Sequence, residues 1–386
     1  MIAFSIYLII SFLLCIFYGY VITAALQSWK ELPVWQIPLN FQPKIFISII
    51  IPVRNEEANI QACLRSILQQ SYPKDLYEII IIDDHSTDRT AALVTQLKKE
   101  NPQIRLFNLQ DVINGKLINS YKKKAIELGV LQARGTLIVT TDGDCVAQPD
   151  WLLLLASLYE LKQAKCIAAP VNFFQEKNLL ERFQSLDYMG TMLLTGAGIH
   201  AGTMRLSNGA NLAYAKAIFE ELQGFSGINE RASGDDMMLV QKIAAKYTQD
   251  IYFLKNPNAT VFTKAKPDWQ SFLQQRIRWA TKSSAYREWR ITFVLAMVFF
   301  LCCNILLSLL LILFFGSVMI LIFFMQIIIK TFFDYQLLYE ACRFFKRQDL
   351  MRSFLPAQAL HIIYIAIIGF AGNFIKKYEW KGRRVR

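Results

Sequence analysis

Thr136-Leu-Ile-Val-Thr-Thr-Asp142-Gly-Asp144-Cys145 decides how the rest of the chain is read. An apolar, β-branched run ends abruptly in two acids that flank a glycine, the pattern of a buried strand running out into a loop. In an open α/β sheet, ligands lie just beyond the carboxyl ends of the strands. Two carboxylates one residue apart can face a single hard cation, Mg2+ or Mn2+, which takes oxygen ligands and shares them with substrate phosphates. Acidic turns after strands are common, so this stretch alone assigns no chemistry. Its surroundings must.

Upstream, Ile45–Val53 is apolar with no polar alternation, as parallel strands buried on both faces are. Arg54-Asn-Glu-Glu57 then reads as the opening of a helix through Gln70, with Asn55 as its cap and acids in its first turn. Tyr77 to Asp83-Asp84 is a second strand and His85–Asp88 a turn. A helix from Asp88 to Glu100, a strand near Ile104–Phe107 and a helix over Tyr121–Ala133, stopped by Gly135, follow. Alternating strands and helices predict a doubly wound, mostly parallel α/β sheet flanked by helices, with right-handed crossovers. Asp83, Asp84, Asp142 and Asp144 then share one edge. Neither G-x-G-x-x-G nor G-x-x-x-x-G-K-[ST] occurs, so phosphates must be held by metal and side chains.

Downstream, Trp151–Leu161 reads as a helix, Cys166–Val171 as one short strand and Asn178–Ile199 as a long helix. Ser207-Asn-Gly-Ala-Asn-Leu-Ala-Tyr214 has the small and amide residues of a loop that lets a ligand approach closely. Gly234-Asp235-Asp236 places a carboxylate pair at a helix start, where capping alone would account for it. Trp269–Trp279 is an amphipathic helix of the basic-aromatic interfacial kind.

The chain has 386 residues, 54% of them hydrophobic, above the usual share for a soluble protein. Ile2–Leu26, Ile291–Ile329 and Ser353–Ile375 contain no charged residue. The first and last are long enough for one crossing each, and the middle run for two, turning at Gly316-Ser317. The first apolar core is too long for a signal peptide and lacks a basic start, which favours an uncleaved anchor. These segments divide the chain into an anchor over 1–28, a cytoplasmic α/β domain over 29–290, membrane segments over 291–376 and a basic tail over 377–386. Basic residues after the first segment place 29–290 in the cytoplasm, facing the cell (inner or plasma) membrane from within. A fourth crossing would carry the tail outside, against its charge, so the reading leaves the last crossing open. The net charge of +12 gathers beside apolar segments, at Arg276–Arg290 and in the tail, and so fits anionic membrane lipids, not nucleic acid. Seven cysteines without metal or disulfide spacing suit a reduced compartment.

Taken together, Pro52-Val-Arg-Asn-Glu56, Asp83-Asp84-His-Ser-Thr-Asp88, Lys122, Asp142-Gly-Asp144, Gly234-Asp235-Asp236 and Gln275-Arg-Ile-Arg278-Trp279 resemble the membrane-anchored family 2 glycosyltransferases of the GT-A fold. That group includes cellulose, hyaluronan and chitin synthases and ceramide glucosyltransferases, and the resemblance spans about residues 45–285. It implies that Asp83 and Asp84 hold the base and ribose of a nucleotide-sugar donor, a UDP-sugar being the family's commonest, with Pro52, Glu56 and Lys122 nearby. It further implies that Asp144 ligates Mg2+ or Mn2+ and that Asp142 joins it while holding the donor sugar and diphosphate. Asp236 falls on the family's general base, and Gln275, Arg278 and Trp279 on the residues that close over diphosphate and acceptor. His85 stands where the pattern usually has Gly; histidine can occupy a tight turn, and the residue reads as a surface group, not a catalyst.

One base and no enzymic nucleophile imply in-line displacement with inversion through an oxocarbenium-like transition state. The acceptor is a lipid glycosylated once or a growing polysaccharide. Gln-x-x-Arg-Trp occurs with both, and the small membrane portion favours the lipid. A membrane nucleotidyltransferase would leave Gln275–Trp279 unexplained, and an inactive scaffold would leave the full set of carboxylates unexplained.

Overall fold

A computed structural model describes residues 2–113, 120–228, 234–281, 288–374, 378–380 and 383–385. Lys282 and Arg287 of the basic stretch before the membrane segments, and Lys376, Lys377, Lys381 and Arg386 of the tail, lie outside the described residues. The elements in chain order are α1 (Ile2–Glu31), β1 (Ile47–Val53), α2 (Ile60–Leu68), β2 (Tyr77–Asp83), α3 (Thr90–Glu100) and β3 (Ile104–Asn108). Then come α4 (Gln110–Ile113), α5 (Tyr121–Gln132), β4 (Leu137–Thr140), β5 (Val146–Ala147), α6 (Trp151–Lys162), β6 (Cys166–Ala168) and β7 (Val171–Phe173). The remainder are α7 (Leu179–His200), β8 (Leu212–Ala215), α8 (Lys216–Glu221), α9 (Asp235–Ala244), β9 (Ile251–Phe253), β10 (Val261–Thr263), α10 (Trp269–Ala280), α11 (Trp289–Phe315), α12 (Ser317–Phe344) and α13 (Phe354–Phe374). They form two compact units, one of helices and one built on sheets.

The sheet unit comprises residues 33–174 and 205–264, with the tail. Its main sheet has seven strands in the order β3-β2-β1-β4-β8-β6-β9. β1 runs parallel to β2 on one side and β4 on the other, so the strand order reverses at the carboxyl ends of β1 and β4. Such a switch point opens a crevice where the loops diverge. The doubly wound expectation holds for β1–β4. It breaks at β8, which is antiparallel to both β4 and β6. The segment expected as a single strand over 166–171 is two strands in different sheets, because Pro170 cannot supply an amide to a ladder. β7 joins β5 and β10 in a small three-stranded sheet.

The buried centre of β1 and β2 is rich in Ile, and one carboxylate is set into it. Glu78 is fully buried on β2 directly across from Ser48 of β1. Its carboxylate accepts Ser48 Oγ at 2.7 Å, the Arg134 amide at 2.7 Å, Arg134 Nε at 3.0 Å and Arg105 Nη1 at 2.8 Å. Burial alone would raise its pKa, but these donors outweigh burial and hold it below the ordinary glutamate value. A depressed folded pKa contributes stability above the unfolded value near 4.3 and loses it as pH falls through the folded one. Glu78→Gln is therefore expected to cost about 1.5–3 kcal/mol at neutral pH, the range for hydrogen bonds to a charged group, and to flatten the acid limb of the stability profile. Chemical denaturation between pH 3 and 7 checks both.

Gly135, expected to end the preceding helix, does something else. α5 ends at Gln132, and a Cβ at residue 135 would come within 2.5 Å of Ser48 N and 2.6 Å of Phe46 O. Glycine is there because the chain crosses the start of β1 backbone to backbone.

The helical unit comprises residues 1–32, 175–204 and 265–376. α1 packs on α7, α11 and α12, while α13 packs on α7, α10 and α11. Among the described residues four segments, Phe4–Glu31, Trp289–Phe315, Ser317–Phe344 and Gln348–Gly372, are long and apolar enough to cross a membrane. They fit a membrane protein. Gly316, with φ +60°, forms the turn between α11 and α12. The unit's interior carries a polar knot: Asp334 of α12 accepts from Tyr18 of α1, Lys330 of α12 and, at 2.6 Å, Gln358 of α13. A buried charge is tolerated only when paired and hydrogen-bonded, so this knot fixes how three helices meet.

Candidate active site

The site is assembled at the carboxyl ends of β1, β2 and β4. Val53 and Asp83 are in register as the last residues of β1 and β2, so the loops that follow lie side by side. They are stitched together. Arg54 Nη1 donates to the carbonyls of Asp84 at 2.9 Å and His85 at 3.1 Å. The Asn55 amide donates to Ser86 Oγ at 3.0 Å, and Asn55 Oδ1 accepts the Thr87 amide at 2.8 Å. The Glu56 amide donates to Thr90 Oγ1 at 2.8 Å, and the Glu57 amide to Asp88 Oδ2 at 3.1 Å. Asn55, expected as a helix cap, instead takes a left-handed φ of +51° inside this loop, and α2 begins only at Ile60.

Asp83 and Asp84 are 7% and 3% exposed. Asp83 Oδ2 accepts the Ser86 amide at 3.3 Å, whereas Asp83 Oδ1 is buried with no hydrogen-bond partner among the described residues. An unpaired buried acceptor is costly and marks where a donor group from a ligand or water belongs. His85 Nδ1 lies 2.9 Å from Asp84 Oδ1, and its ring stands edge-on to Tyr121 with centroids 6.0 Å apart. His85 has φ +57°, the left-handed region that glycine enters without strain. Expected as a surface residue, it is half-buried against Asp84.

After β4 the chain turns through Asp142-Gly143-Asp144, closed by a bond from the Cys145 amide to the Asp142 carbonyl at 3.1 Å. A Cβ on Gly143 would fall 2.9 Å from Val53 Cγ1 and 3.3 Å from Glu56 Cγ, so glycine lets this turn lie on the β1 loop. Lys122, near the start of α5, places Nζ 2.7 Å from Asp142 Oδ1 and 3.8 Å from Asp235 Oδ2. Burial would lower the Lys122 pKa, but Asp142 and Asp235 outweigh it and hold the ammonium above the ordinary lysine range. It is a fixed cation. Asp236 Oδ2 accepts the Gly209 amide at 3.0 Å, and Asp236 Oδ1 accepts the Met237 amide at 2.8 Å. A Cβ on Gly209 would stand 3.3 Å from Asp235 Oδ2 and 3.6 Å from Lys122 Nζ. Thr140 Oγ1 ties the end of β4 to this loop by donating to the Gly209 carbonyl at 2.9 Å. Asn211 in the same stretch braces the loop, giving its amide to the Pro170 and Ala259 carbonyls at 2.7 and 2.8 Å.

Lys122, Asp142, Asp235 and Asp236 thus converge, Glu56 and Gly143 pack together, and Asp83 and Asp84 line the adjoining strand end. Pro52 lies on β1, half-buried beside them in sequence. Gln275, Arg278 and Trp279 sit on α10 of the helical unit. There the buried member is Arg276, which pairs with Asp187 of α7 at 2.7 Å and lies 4.6 Å over the Trp279 ring and 5.7 Å over that of Tyr364. The Trp279 ring also packs on Tyr188 at 5.8 Å.

The acids of the Asp142-Gly143-Asp144 turn are hard oxygen donors of the kind Mg2+ and Mn2+ take; among the described residues no group of three or more His, Cys, Asp or Glu able to hold a metal occurs. Cys63 and Cys145 lie against these acids. Burial first, then Asp144 and Asp142, push both thiols up, so neither supplies a thiolate nucleophile at neutral pH. Sequence reasoning missed the Gly209 amide and the loop stitching, because a backbone donor has no residue signature.

Residues 48–221 match the family model described as Glycosyl transferase family 2, and residues 137–337 match that of Glycosyl transferase family group 2. Among curated proteins, the chain is similar to a probable glycosyltransferase, YdaM, of Bacillus subtilis, with 25% identity over 256 residues, 65% of this chain and 58% of that one. It is similar to a beta-monoglucosyldiacylglycerol synthase of Nostoc, with 27% identity over 256 residues, 63% of this chain and 51% of that one. The matched part thus amounts to between half and three fifths of these relatives' length. A solved mannosyltransferase of Pyrobaculum calidifontis, in complex with GDP-Man and Mn2+, superposes with a TM-score of 0.58 at 18% identity, over 95% of this chain and 98% of that one. That likeness is one of fold, the GT-A arrangement of a mostly parallel sheet between helices.

Proposed function

From the premise that the chain belongs to glycosyltransferase family 2, we propose that it transfers one sugar, with inversion, from a nucleotide-sugar donor to a lipid acceptor at the cytoplasmic face of the cell membrane. The observation that carries this reading is the knot of Lys122, Asp142, Asp235 and Asp236 at the end of β4. It joins a fixed cation to a carboxylate whose geometry a backbone amide sets.

In this reading Asp83 and Asp84 take the base and ribose of the donor, and the partnerless Asp83 Oδ1 accepts one of its N–H or O–H groups. Lys122 lies beside the diphosphate, where it offsets charge that grows as the bond from the anomeric carbon to the diphosphate oxygen breaks. Asp142 and Asp144 would hold Mg2+ or Mn2+ together with donor phosphate oxygens. Bound there, the ion supplies further charge stabilisation to the leaving diphosphate. Asp236 takes the acceptor hydroxyl proton as the new bond forms from the opposite face. With the Gly209 and Met237 amides fixing both oxygens, its lone pairs keep one direction. The solved mannosyltransferase of the same fold, captured with GDP-Man and Mn2+, supports a nucleotide sugar and a divalent ion. The glucosyldiacylglycerol synthases and the four apolar helices support a lipid acceptor.

Two experiments test the reading. Full-length protein in lipid nanodiscs, offered a panel of nucleotide sugars and total membrane lipids, is expected to yield a lipid carrying one added sugar by mass spectrometry. A ladder of polymer would replace the lipid reading with a processive one. Lys122→Met, which removes one charge-assisted contact, is expected to lower kcat/KM by about 10–100-fold, from the roughly 1.5–3 kcal/mol such contacts contribute. Donor-dependence curves check it, and an unchanged kcat/KM would remove Lys122 from the donor site.

A further inference from the structure

We propose that His85 is a positioning residue for donor binding, acting through Asp84. The inference rests on the donor-site reading above and deepens it at the nucleotide end.

The main chain of this turn is held without the imidazole. Arg54 grips the carbonyls of Asp84 and His85, the Asp84 amide donates to the Val53 carbonyl at 2.8 Å, and Asn55 bonds Ser86 and Thr87. At φ +57°, glycine would adopt the backbone with less strain. What the histidine adds over glycine at this position is its side chain. Among the described residues that side chain makes one polar contact: Nδ1 sits 2.9 Å from Asp84 Oδ1 and, carrying the ring proton, donates to it. Tyr121, the residue before Lys122, packs its ring against the imidazole at 6.0 Å and limits its rotation. The pair holds a carboxylate that is 3% exposed in one rotamer.

Pre-setting an acceptor avoids the ordering cost that a ligand would otherwise meet on binding. The ligand class follows from Asp84 itself: a group presenting N–H or O–H donors, as a nucleoside base and ribose do. His85 touches Asp84, not the ligand, so its loss should weaken nucleotide binding while leaving the transfer step, at the other end of the donor, much less affected.

The test compares wild type, His85→Gly and His85→Asn as full-length proteins in nanodiscs, titrated with UDP, GDP and dTDP. Glycine suits the backbone, so folding is secure and is checked by Tm. Asparagine also tolerates positive φ and returns a side-chain N–H near Asp84. His85→Gly is expected to raise the Kd of the preferred nucleotide about tenfold, to raise donor KM more than it lowers kcat, and to leave Tm equal or higher. His85→Asn is expected to recover most of the affinity. Equal affinity in wild type and His85→Gly would overturn the proposal, because the imidazole would then merely fill the turn. So would a His85→Asn protein as weak as His85→Gly. If wild type bound none of the three nucleotides, the donor-site reading would fall and this inference with it; failure confined to the variants sinks this inference alone.

Discussion

Asp236→Asn is expected to lower kcat by about 10²–10⁴-fold while nucleotide affinity stays within twofold, the range general-base assistance typically supplies. Asparagine keeps the size of the side chain and an oxygen for the Gly209 amide, but loses the basic lone pair that takes the proton. The donor end is less affected by the change, because Lys122 makes its hydrogen bond and ion pair with Asp142 and Asp235, Asp236 adds only a weaker charge interaction, and its oxygens face the Gly209 and Met237 amides. The neighbouring Asp235→Asn makes the comparison sharp. Asp235 contacts Lys122, so its loss is expected to raise donor KM more than it lowers kcat. Single-turnover kinetics with saturating donor separate the two. If Asp235→Asn proved the more damaging to the chemical step, the two carboxylates would exchange roles.

Asp144→Asn is expected to cost about 10²–10³-fold in activity at fixed metal concentration, the scale seen when one electrostatic stabiliser of a transition state is removed. Only two carboxylates of the turn are offered to the ion, so each carries a large share of its affinity. Part of the loss should return as Mg2+ or Mn2+ is raised, and chelation should silence the wild type reversibly. Activity measured against metal concentration decides the matter: superimposable curves for wild type and variant would take Asp144 out of the metal site.

What could be read in advance followed from local pattern. The run Tyr77–Asp83 is continuous, β-branched and bounded by turn residues, and the strand occupies those limits. α10 is periodic and capped by Asp268, whose Oδ1 accepts the Ser271 amide at 2.9 Å, so its span was legible as well. The carboxylates were legible because strand ends in a parallel sheet share an edge. What was not legible depended on partners far away in sequence. Asn55 has the chemistry of a helix cap, but Ser86 and Thr87 claim it across 31 and 32 residues. Gly135 looks like a helix stop, yet the backbone of β1 requires it. β8 is only Leu212–Ala215, too short to announce a strand, and its antiparallel pairing with β4 joins segments about 70 residues apart. Arg276, inside the Gln-x-x-Arg-Trp stretch, carried no mark of its own, because its burial comes from Asp187 and the aromatic rings that hold it within the helical unit.

The central claim is that the acids around Lys122 bind a nucleotide sugar, pass its sugar to a lipid hydroxyl and release the nucleoside diphosphate. Its most direct test is the identity of the fragment released. Full-length protein in nanodiscs should release nucleoside diphosphate from a nucleotide sugar, one for each sugar gained by lipid, only with Mg2+ or Mn2+ present, and not in the Asp236→Asn protein. Release of pyrophosphate, or turnover of no nucleotide sugar by the wild type, would contradict it.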